Sequence, residues 1–243
     1  MVDQPFEIVG YVTFDPADVT GMLPPELRFL TVSELAARGI PWAATFLAGH
    51  EDQASWGISF IELFRAKTFS IDGRQPEWGQ DGAIALWFAR VAPVDPSHAQ
   101  LGPGTPLLVL DFSVPDSAYA AYMRARGYQA AYDSARLARN AEGTWRGSFR
   151  SSGASVTVTC TPTGPIGGGP ESRGRQILIP PATSGGAAVV RIAFVGHREQ
   201  QCREPTPWFL GGDGPLARGI VVEPSNVQFG YEMVGGTYVS GGR

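Results

Sequence analysis

The stretch GISFIELFRAKTFSI, residues 57–71, is the most informative part of this 243-residue sequence for the fold. Ile and Phe are its commonest residues, and both favour extended strands. Strand side chains alternate between two faces, so the even-numbered positions lie together on one face. That face carries four apolar residues and one carboxylate, in the order Ile58, Phe60, Glu62, Phe64 and Ala66. The stretch therefore predicts a strand with a single acid on an otherwise apolar face.

An acid in this position has two plausible roles. Burying the Glu62 carboxylate without a partner costs several kcal/mol, so the group is expected to pair with a cation or to hold a proton. A carboxyl group kept neutral in this way is suited to general acid catalysis. The alternatives are a purely structural Glu–Arg pair, or a bulge that shifts the alternation. The odd-numbered face includes Arg65 and Lys67, so the chain's single lysine is expected to point away from Glu62 into solvent.

Similar strand-like runs, separated by Gly, Pro, Asn and Asp, occur along the whole chain. About ten such runs predict a mainly β fold with a large antiparallel sheet that closes or stacks to bury its apolar face. Besides 57–71, the runs are 6–14, 42–49, 83–90, 107–114, 143–150, 154–161, 175–179, 187–195 and 219–233.

Three short helices are also predicted from their end signals. The first begins at Asp15-Pro16 and stops at Pro24-Pro25, because Asp is a good N-cap and Pro suits a first turn. The second has the capping box Thr31-Val-Ser-Glu34 and ends at Gly39. The third begins near Pro115-Asp116 and ends at Gly127. Two glycine-rich segments are expected to lack regular structure: a mobile loop at 162–174, either disordered or a lid, and a flexible tail at 234–243.

Composition excludes several classes of protein. Hydrophobic residues make up 43% and charged residues 17% of the chain, which predicts a packed globular core. The net charge of −4 argues against nucleic-acid binding, and no apolar run is long enough to span a membrane. The N-terminus lacks the pattern of a secretory signal. Cys160 and Cys202 are too few for a disulfide framework, so we expect reduced cysteines in the cytoplasm.

The sequence contains no pattern typical of a cofactor or metal site. It has no P-loop, no GxSxG motif and no glycine-rich turn between a strand and a helix. His50-Glu51-Asp52 places three potential ligands in a row, but adjacent residues on an extended chain diverge. His98 and His197 stand alone. We therefore expect no cofactor and no bound metal.

The order of several short motifs resembles the acetoacetate decarboxylase family. The segment around the family's Schiff-base lysine runs Ala-Tyr-Pro-Lys-Lys-Leu-Gly-Tyr and soon reaches Asp-Ser. Here Ala121-Tyr122, Gly127-Tyr128 and Asp133-Ser134 fall in similar places. Other similar segments keep the family's order along the chain: Met22–Leu27, Ala48–Glu51, Phe60–Glu62, Gln176–Pro180 and Gly219–Met233.

This resemblance implies a single domain over residues 1–243. The fold would be a closed, antiparallel, β-barrel-like sheet with a few peripheral helices, in the α+β class, and the protein a homo-oligomer that binds a small-molecule substrate. The resemblance implies that Glu62 matches one of the family's active-site glutamates. A second active-site glutamate of the family corresponds to Thr45 in this chain, which is not an acid. The position of the Schiff-base lysine is Arg124, and the neighbouring lysine is Ala125.

The arginine changes the expected chemistry. A guanidinium stays protonated, so Arg124 cannot attack a ketone to form an imine. It can bind a carboxylate or enolate and stabilise negative charge on oxygen. We therefore expect an enzyme that acts on a small β-keto or polyketide-derived substrate without a Schiff base. Glu62 and Arg124 would be the catalytic residues, and the substrate-binding candidates are Tyr122, Tyr128, His50, Phe60 and Phe64.

Two other functions fit the same sequence. An imine-forming decarboxylase or aldolase would have to use Lys67, the only lysine in the chain. A non-catalytic protein would retain the fold as a small-molecule binding module.

Overall fold

The protein is described from a computed structural model. The structure describes residues 2–3, 6–65, 74–95, 107–125, 130–132, 135–151, 153–168, 173–179, 188–195, 198–203, 208–229, 232–234 and 238–239.

Strands dominate the described chain. Their bounds are β1 Val2–Asp3, β2 Phe6–Phe14, β3 Leu27–Phe29, β4 Gly57–Arg65, β5 Ile84–Pro93, β6 Leu107–Val114, β7 Ala130–Tyr132, β8 Arg136–Arg139, β9 Trp145–Ser151, β10 Ala154–Cys160, β11 Pro162–Gly168, β12 Arg173–Ile179, β13 Ala188–Val195, β14 Arg198–Cys202, β15 Trp208–Gly212, β16 Val221–Phe229, β17 Glu232–Val234 and β18 Tyr238–Val239.

The three helices predicted from end signals are present. A 3₁₀ helix spans Pro16–Met22, and the Asp15 side chain accepts a hydrogen bond from the Ala17 backbone N–H. Helix α1 spans Val32–Ala37 with the predicted capping box, and the third predicted helix is Ser117–Ala125. Short 3₁₀ helices also occur at Glu51–Gln53 and Pro215–Arg218.

One strand prediction was wrong. The segment 42–49 lies in helix α2, which spans Pro41–Gly49. The helix Ser117–Ala125 is therefore numbered α3. Pro41 stands at the start of α2, where its missing N–H costs nothing, and Ala and Leu favour the helix interior. Ala43 and Phe46 are its buried residues. Hydrophobicity alone did not separate a short buried helix from a strand.

The strands described form two sheets. The larger has 14 strands in the order β1-β17-β13-β12-β6-β5-β4-β2-β16-β14-β11, with β18, β3 and β7 paired off this path; the smaller has the order β15-β10-β9-β8. The prediction of a mainly β fold with a few short helices is therefore confirmed.

The prediction of a closed barrel is not confirmed by the described strand pairings. The path of the large sheet is open, with β1 at one end and β11 at the other. The sheet is also not wholly antiparallel, because β6 pairs in parallel with both β7 and β12. Instead of closing on itself, the sheet stacks: strand β9 of the small sheet contacts β6 of the large one. Stacking is the other way in which a large sheet buries its apolar face.

Both faces of the central strands β2, β4 and β5 are covered. Residues on one face, such as Ile61, Leu63 and Trp87, belong to a first core between the two sheets. Residues on the opposite face belong to a second core, which we define by Val9, Phe60, Phe64, Ile84, Leu86, Phe88, Leu107, Val109, Phe112, Val114, Tyr119, Ala120, Met123 and Ala130. A third core joins α1 and α2 to Ile58, Ala92 and Val222.

The predicted loop at 162–174 contains regular structure. Residues 162–168 form β11, which pairs with β14 across a register shift between Thr163 and Gly167. Residues 173–174 begin β12, and 169–172 lie outside the described residues. The composition of this segment is typical of a loop, but backbone hydrogen bonds to β14 hold it as a strand. In the predicted tail, Val234 ends β17 and 238–239 form β18, while the rest lies outside the described residues.

The prediction of reduced cysteines was also wrong. Cys160 and Cys202 form a disulfide with a Cα–Cα distance of 5.1 Å, and both are buried. They meet because β10 and β14 end side by side, where the Arg203 backbone N–H donates to the Thr161 carbonyl. The bond therefore links the small sheet to the large one. Among the helices that the structure describes, none is long and apolar enough to cross a membrane.

Candidate active site

The site is built around Glu62 in the middle of β4. Its side chain is 7% exposed, and its register partners are Val9 on β2 and Leu86 on β5. Since Phe60 and Phe64 flank it on the same face, the Glu62 carboxyl faces the second core. The alternation predicted from residues 57–71 therefore holds through the described part of the strand.

This environment defines what Glu62 can do chemically. The neighbouring strands present the apolar side chains of Val9 and Leu86, so few water molecules compete for the carboxyl. A low-dielectric environment strengthens every interaction that the group makes with a nearby dipole or charge. A carboxyl in such surroundings is suited to exchange a proton with a bound substrate.

Helix α3 packs over the second core. Its start is fixed by Asp116, whose two carboxylate oxygens accept from the backbone N–H groups of Tyr119 at 2.6 Å and Glu77 at 2.9 Å. Tyr119, Ala120 and Met123 are the buried residues of α3, as the spacing i, i+1, i+4 requires for one helix face. The cap and the apolar face together hold the helix against the sheet that carries Glu62.

Tyr122 lies at the border of this core. It is half-buried, and its ring stacks on Tyr119 with a centroid distance of 5.8 Å. The Arg74 guanidinium lies over the Tyr122 ring, 4.7 Å from its centroid. Tyr122 is therefore held between an aromatic ring and a cation, beside the face on which Glu62 lies.

Arg124 occupies the end of α3 and is exposed. Its Nη1 donates to the backbone carbonyl of Ala130 at 2.7 Å. Strand pairing places Glu62, Leu86, Phe112 and Ala130 in one row across β4, β5, β6 and β7. Three strand spacings amount to about 14 Å. The structure thus places Arg124 at the other end of a row that starts at Glu62, too far away for a direct ion pair.

The other predicted site residues divide between two places. Phe60 and Phe64 belong to the second core beside Glu62. His50 caps the end of α2 and stacks on Phe46 of the third core, with ring centroids 4.5 Å apart. The structure does not bring His50 to the second core. Tyr128 and Lys67 lie outside the described residues.

Sequence reasoning missed three polar residues on this face of the sheet. Glu7 and Tyr11 alternate with Val9 on β2, and Arg90 follows Phe88 by two positions on β5. The Tyr11 ring packs 5.2 Å from both Trp42 and Phe60, and the Arg90 guanidinium lies 6.0 Å from the Trp42 ring. The signal for Glu7 and Tyr11 is the period-two alternation of residues 6–14, which places them on one face of β2 together with Val9.

Among the side chains that the structure describes, no three His, Cys, Asp or Glu residues group closely enough to hold a metal ion.

Comparison with known proteins identifies the fold. No protein-family model and no curated protein matches the sequence. Several solved structures match over almost the whole chain, among them the following two. An acetoacetate decarboxylase-like enzyme from Sphingomonas wittichii RW1 has a TM-score of 0.52 at 12% identity, covering 97% of this chain and 91% of its own. The enduracididine biosynthesis enzyme MppR, complexed with pyruvate, has a TM-score of 0.50 at 11% identity, covering 97% and 90%.

At such low identity, these matches establish the fold and nothing finer. Each covers 97% of this chain. The resemblance inferred from scattered sequence motifs is thereby confirmed at the level of structure: this chain has an acetoacetate decarboxylase-like fold.

Proposed function

We propose that the chain is an enzyme that enolises a small oxo acid by acid/base catalysis, without a Schiff base. The dehydration or cyclisation of a β-keto or polyketide-derived substrate begins with the same enolisation. The observation that carries the proposal is the burial of the single acid Glu62 on an apolar face of β4, in an acetoacetate decarboxylase-like fold.

In this proposal Glu62 moves the proton. Its carboxylate removes a proton from the carbon next to the substrate carbonyl, and the electron pair of that C–H bond moves to the carbonyl oxygen to give an enolate. Return of a proton from Glu62 to the carbon, or to a leaving group, completes the cycle. General acid/base catalysis by one positioned group contributes about 10²–10⁴-fold in rate.

Arg124 is proposed to bind the negative end of the substrate. The hydrogen bond to the Ala130 carbonyl orients its guanidinium at the end of the Glu62–Ala130 row. A guanidinium offers five N–H donors, so a carboxylate can bind while that bond is kept. Because the row from Glu62 to Ala130 spans about 14 Å, Arg124 would hold the carboxylate of a longer oxo acid while Glu62 reaches its carbon chain. Tyr122, Phe60 and Phe64 would line the space between them, and Tyr128 remains a candidate; His50, which stacks on Phe46 of the third core, is not included.

The substrate class is supported by one structural relative. MppR, which matches with a TM-score of 0.50, is described in complex with pyruvate. Pyruvate carries the ketone that the proposed role of Glu62 requires, and a longer oxo acid would also carry a carboxylate far enough away to reach Arg124. We further propose that residues 1–243 form one domain and that the protein is a homo-oligomer. Light scattering of the purified protein tests the oligomer.

Exchange of the pyruvate methyl protons in D₂O, followed by ¹H NMR, tests the proposal. The wild type is expected to catalyse exchange, and Glu62→Gln to lose about a hundredfold in rate or more. Glu142→Gln, which alters an exposed carboxyl, serves as the control and is expected to keep full activity. A fully active Glu62→Gln variant would refute the role of Glu62.

Two further outcomes separate the alternative functions. Borohydride treatment with pyruvate, followed by mass spectrometry, is expected to leave the protein unmodified. A reduced adduct on Lys67 would instead establish an imine mechanism. Saturable binding of pyruvate without exchange, and without turnover of a panel of β-keto acids, would identify a binding protein.

A further inference from the structure

A second buried carboxyl lies diagonally opposite Glu62. Strand β2 pairs with β4 so that Glu7 is opposite Phe64 and Val9 is opposite Glu62. Glu7 and Glu62 are thus on neighbouring strands, on the same face, and offset by two residues. Diagonal neighbours of this kind have α-carbons about 7–8 Å apart, and long side chains reach across that distance.

Both carboxyls are withdrawn from water. Glu7 is 1% exposed and Glu62 is 7% exposed. The strand positions beside them carry Val9 and Phe64, which belong to the second core. Two carboxylates on diagonal neighbours in apolar surroundings repel each other, so the ionised state of one disfavours ionisation of the other. Such a pair retains one proton over a wide pH range, and its protons leave in two coupled steps.

We propose that Glu7 is a positioning residue for the acid/base reaction. Glu7 shares one proton with Glu62 and thereby sets the pH at which Glu62 becomes a base. This inference rests on the function proposed above. It makes the site a pair of carboxyls on adjacent strands, in which one holds the proton while the other accepts one from the substrate. A single buried Glu would have no such partner.

Other groups that can carry charge lie around the same face, and they enter any pH dependence. Those described are the phenols and cations of β2, β5, α3 and the segment before β5, namely Tyr11, Arg90, Tyr119, Tyr122, Arg124 and Arg74. The two nearest strand neighbours of Glu62 are apolar, so Glu7 is the acid best placed to alter its protonation.

The first experiment needs no substrate. Urea unfolding at pH 7 would compare the wild type, Glu7→Gln, Glu62→Gln and the double variant. We expect the effects of the two substitutions on the unfolding equilibrium constant to deviate from a simple product by about fivefold or more, as coupled neighbours do. Glu142→Gln combined with Glu62→Gln is the control, and these effects should multiply within about twofold. Multiplicative effects for Glu7 and Glu62 would overturn the proposal.

The protonation state can also be observed without any variant. Carbon-13 NMR of protein labelled at the glutamate carboxyl carbons reports ionisation directly. We expect one glutamate carboxyl to remain protonated at pH 7 in the wild type. Ionisation of every glutamate at that pH would overturn the proposal, even if Glu7→Gln failed to fold.

The pH profile of pyruvate exchange distinguishes positioning from a structural role. Because a nearby carboxylate delays ionisation of Glu62, Glu7→Gln is expected to move the rising limb about one pH unit towards acid. Glu7→Asp keeps the charge and is expected to leave the limb closer to its wild-type position. A limb that Glu7→Gln does not move would refute the role of Glu7. That failure is distinct from failure of the proposed function, which a fully active Glu62→Gln would show.

Discussion

Ser151 donates a hydrogen bond from its Oγ to Oδ2 of Asp111 at 2.9 Å, and both residues are buried. Asp111 belongs to β6 of the large sheet and Ser151 to β9 of the small sheet. The other carboxylate oxygen, Oδ1, accepts from the Phe112 backbone N–H at 2.7 Å. Since a buried carboxylate is costly unless hydrogen-bonded, this contact helps to fix how the two sheets stack.

Replacing Ser151 with Ala is expected to destabilise the protein by about 1–3 kcal/mol, because it removes a hydrogen bond from a buried carboxylate. Urea unfolding measures the effect. Thr157→Ala on neighbouring β10 is the control, since Thr157 is exposed, and it should change stability by less than about 0.5 kcal/mol. Equal stability of Ser151→Ala and the wild type would show that Asp111 does not depend on Ser151.

Reduction of the disulfide is expected to lower the free energy of unfolding. Cys160 and Cys202 are 42 residues apart, and cross-links of this kind contribute about 2–4 kcal/mol. Denaturation with and without a thiol reductant measures the change. A variant with both cysteines replaced by Ala should match the reduced protein and should not respond to the reductant. A wild type unaffected by reductant would contradict the prediction.

Gly10 is expected to tolerate no larger residue. The Trp208 indole lies directly over it, so the Cβ of Ala would collide with the ring. The ring cannot easily move, because its Nε1–H donates to Ser225 Oγ at 2.9 Å. Gly10→Ala should cost about 1–3 kcal/mol in thermal or urea unfolding. Gly21 has open space around its Cβ position, so Gly21→Ala should stay within about 0.5 kcal/mol of the wild type.

The α1 capping box gives a pH-dependent contribution to stability. Burial raises the pKa of Glu34, but hydrogen bonds from Thr31 and the nearby Arg28 guanidinium outweigh it and hold this pKa below its ordinary value of 4.5. A group with a lowered pKa stabilises the folded state above its unfolded pKa, and that stabilisation is lost as pH falls through the folded pKa. Glu34→Gln should therefore be less stable than the wild type at pH 7.

Urea unfolding at two pH values checks the sign of this effect. The difference in stability between the wild type and Glu34→Gln should shrink when the pH falls from 7 to about 3. Glu51→Gln, at an exposed position in the 3₁₀ helix that follows α2, should show no such change. A difference that is constant with pH would mean that the Glu34 carboxylate contributes through shape and not through charge.

Arg124→Gln tests the proposed anion clamp. Loss of a charge-assisted hydrogen bond to a substrate carboxylate costs about 10–100-fold in affinity. Proton exchange of a longer oxo acid, with its carboxylate several carbons from the ketone, should then show a raised KM with a smaller change in kcat, which is the pattern for lost binding. Arg136→Gln, at an exposed position on β8, should leave both constants unchanged. An unaltered KM for Arg124→Gln would remove Arg124 from the site.

Local signals in the sequence predicted the helices and the direction of Glu62 correctly, because caps and alternation act over a few residues. Asp15, Thr31 and Asp116 cap their helices through hydrogen bonds that span at most three positions. The period-two pattern of β4 likewise needs no partner to assign Phe60 and Glu62 to one face.

The errors occurred where a distant partner decides the structure. Segment 42–49 is apolar enough for a strand, and its packing against the third core, together with Pro41 at its start, makes it a helix. Residues 162–168 have the composition of a loop, but pairing with β14 makes them a strand. The two cysteines gave no sign of a disulfide until the ends of β10 and β14 were placed together.

By itself the sequence determined that this protein is mainly β, where three of its helices begin, and that Glu62 lies on an apolar face. These properties depend on local hydrogen bonding and on the alternation of side chains along one strand. Only the tertiary structure decided that the large sheet stays open, that Glu7 lies diagonally opposite Glu62, and that Arg124 lies three strands away. The reason is that strand register is set by pairing between segments far apart in sequence, and no local pattern specifies which segments pair.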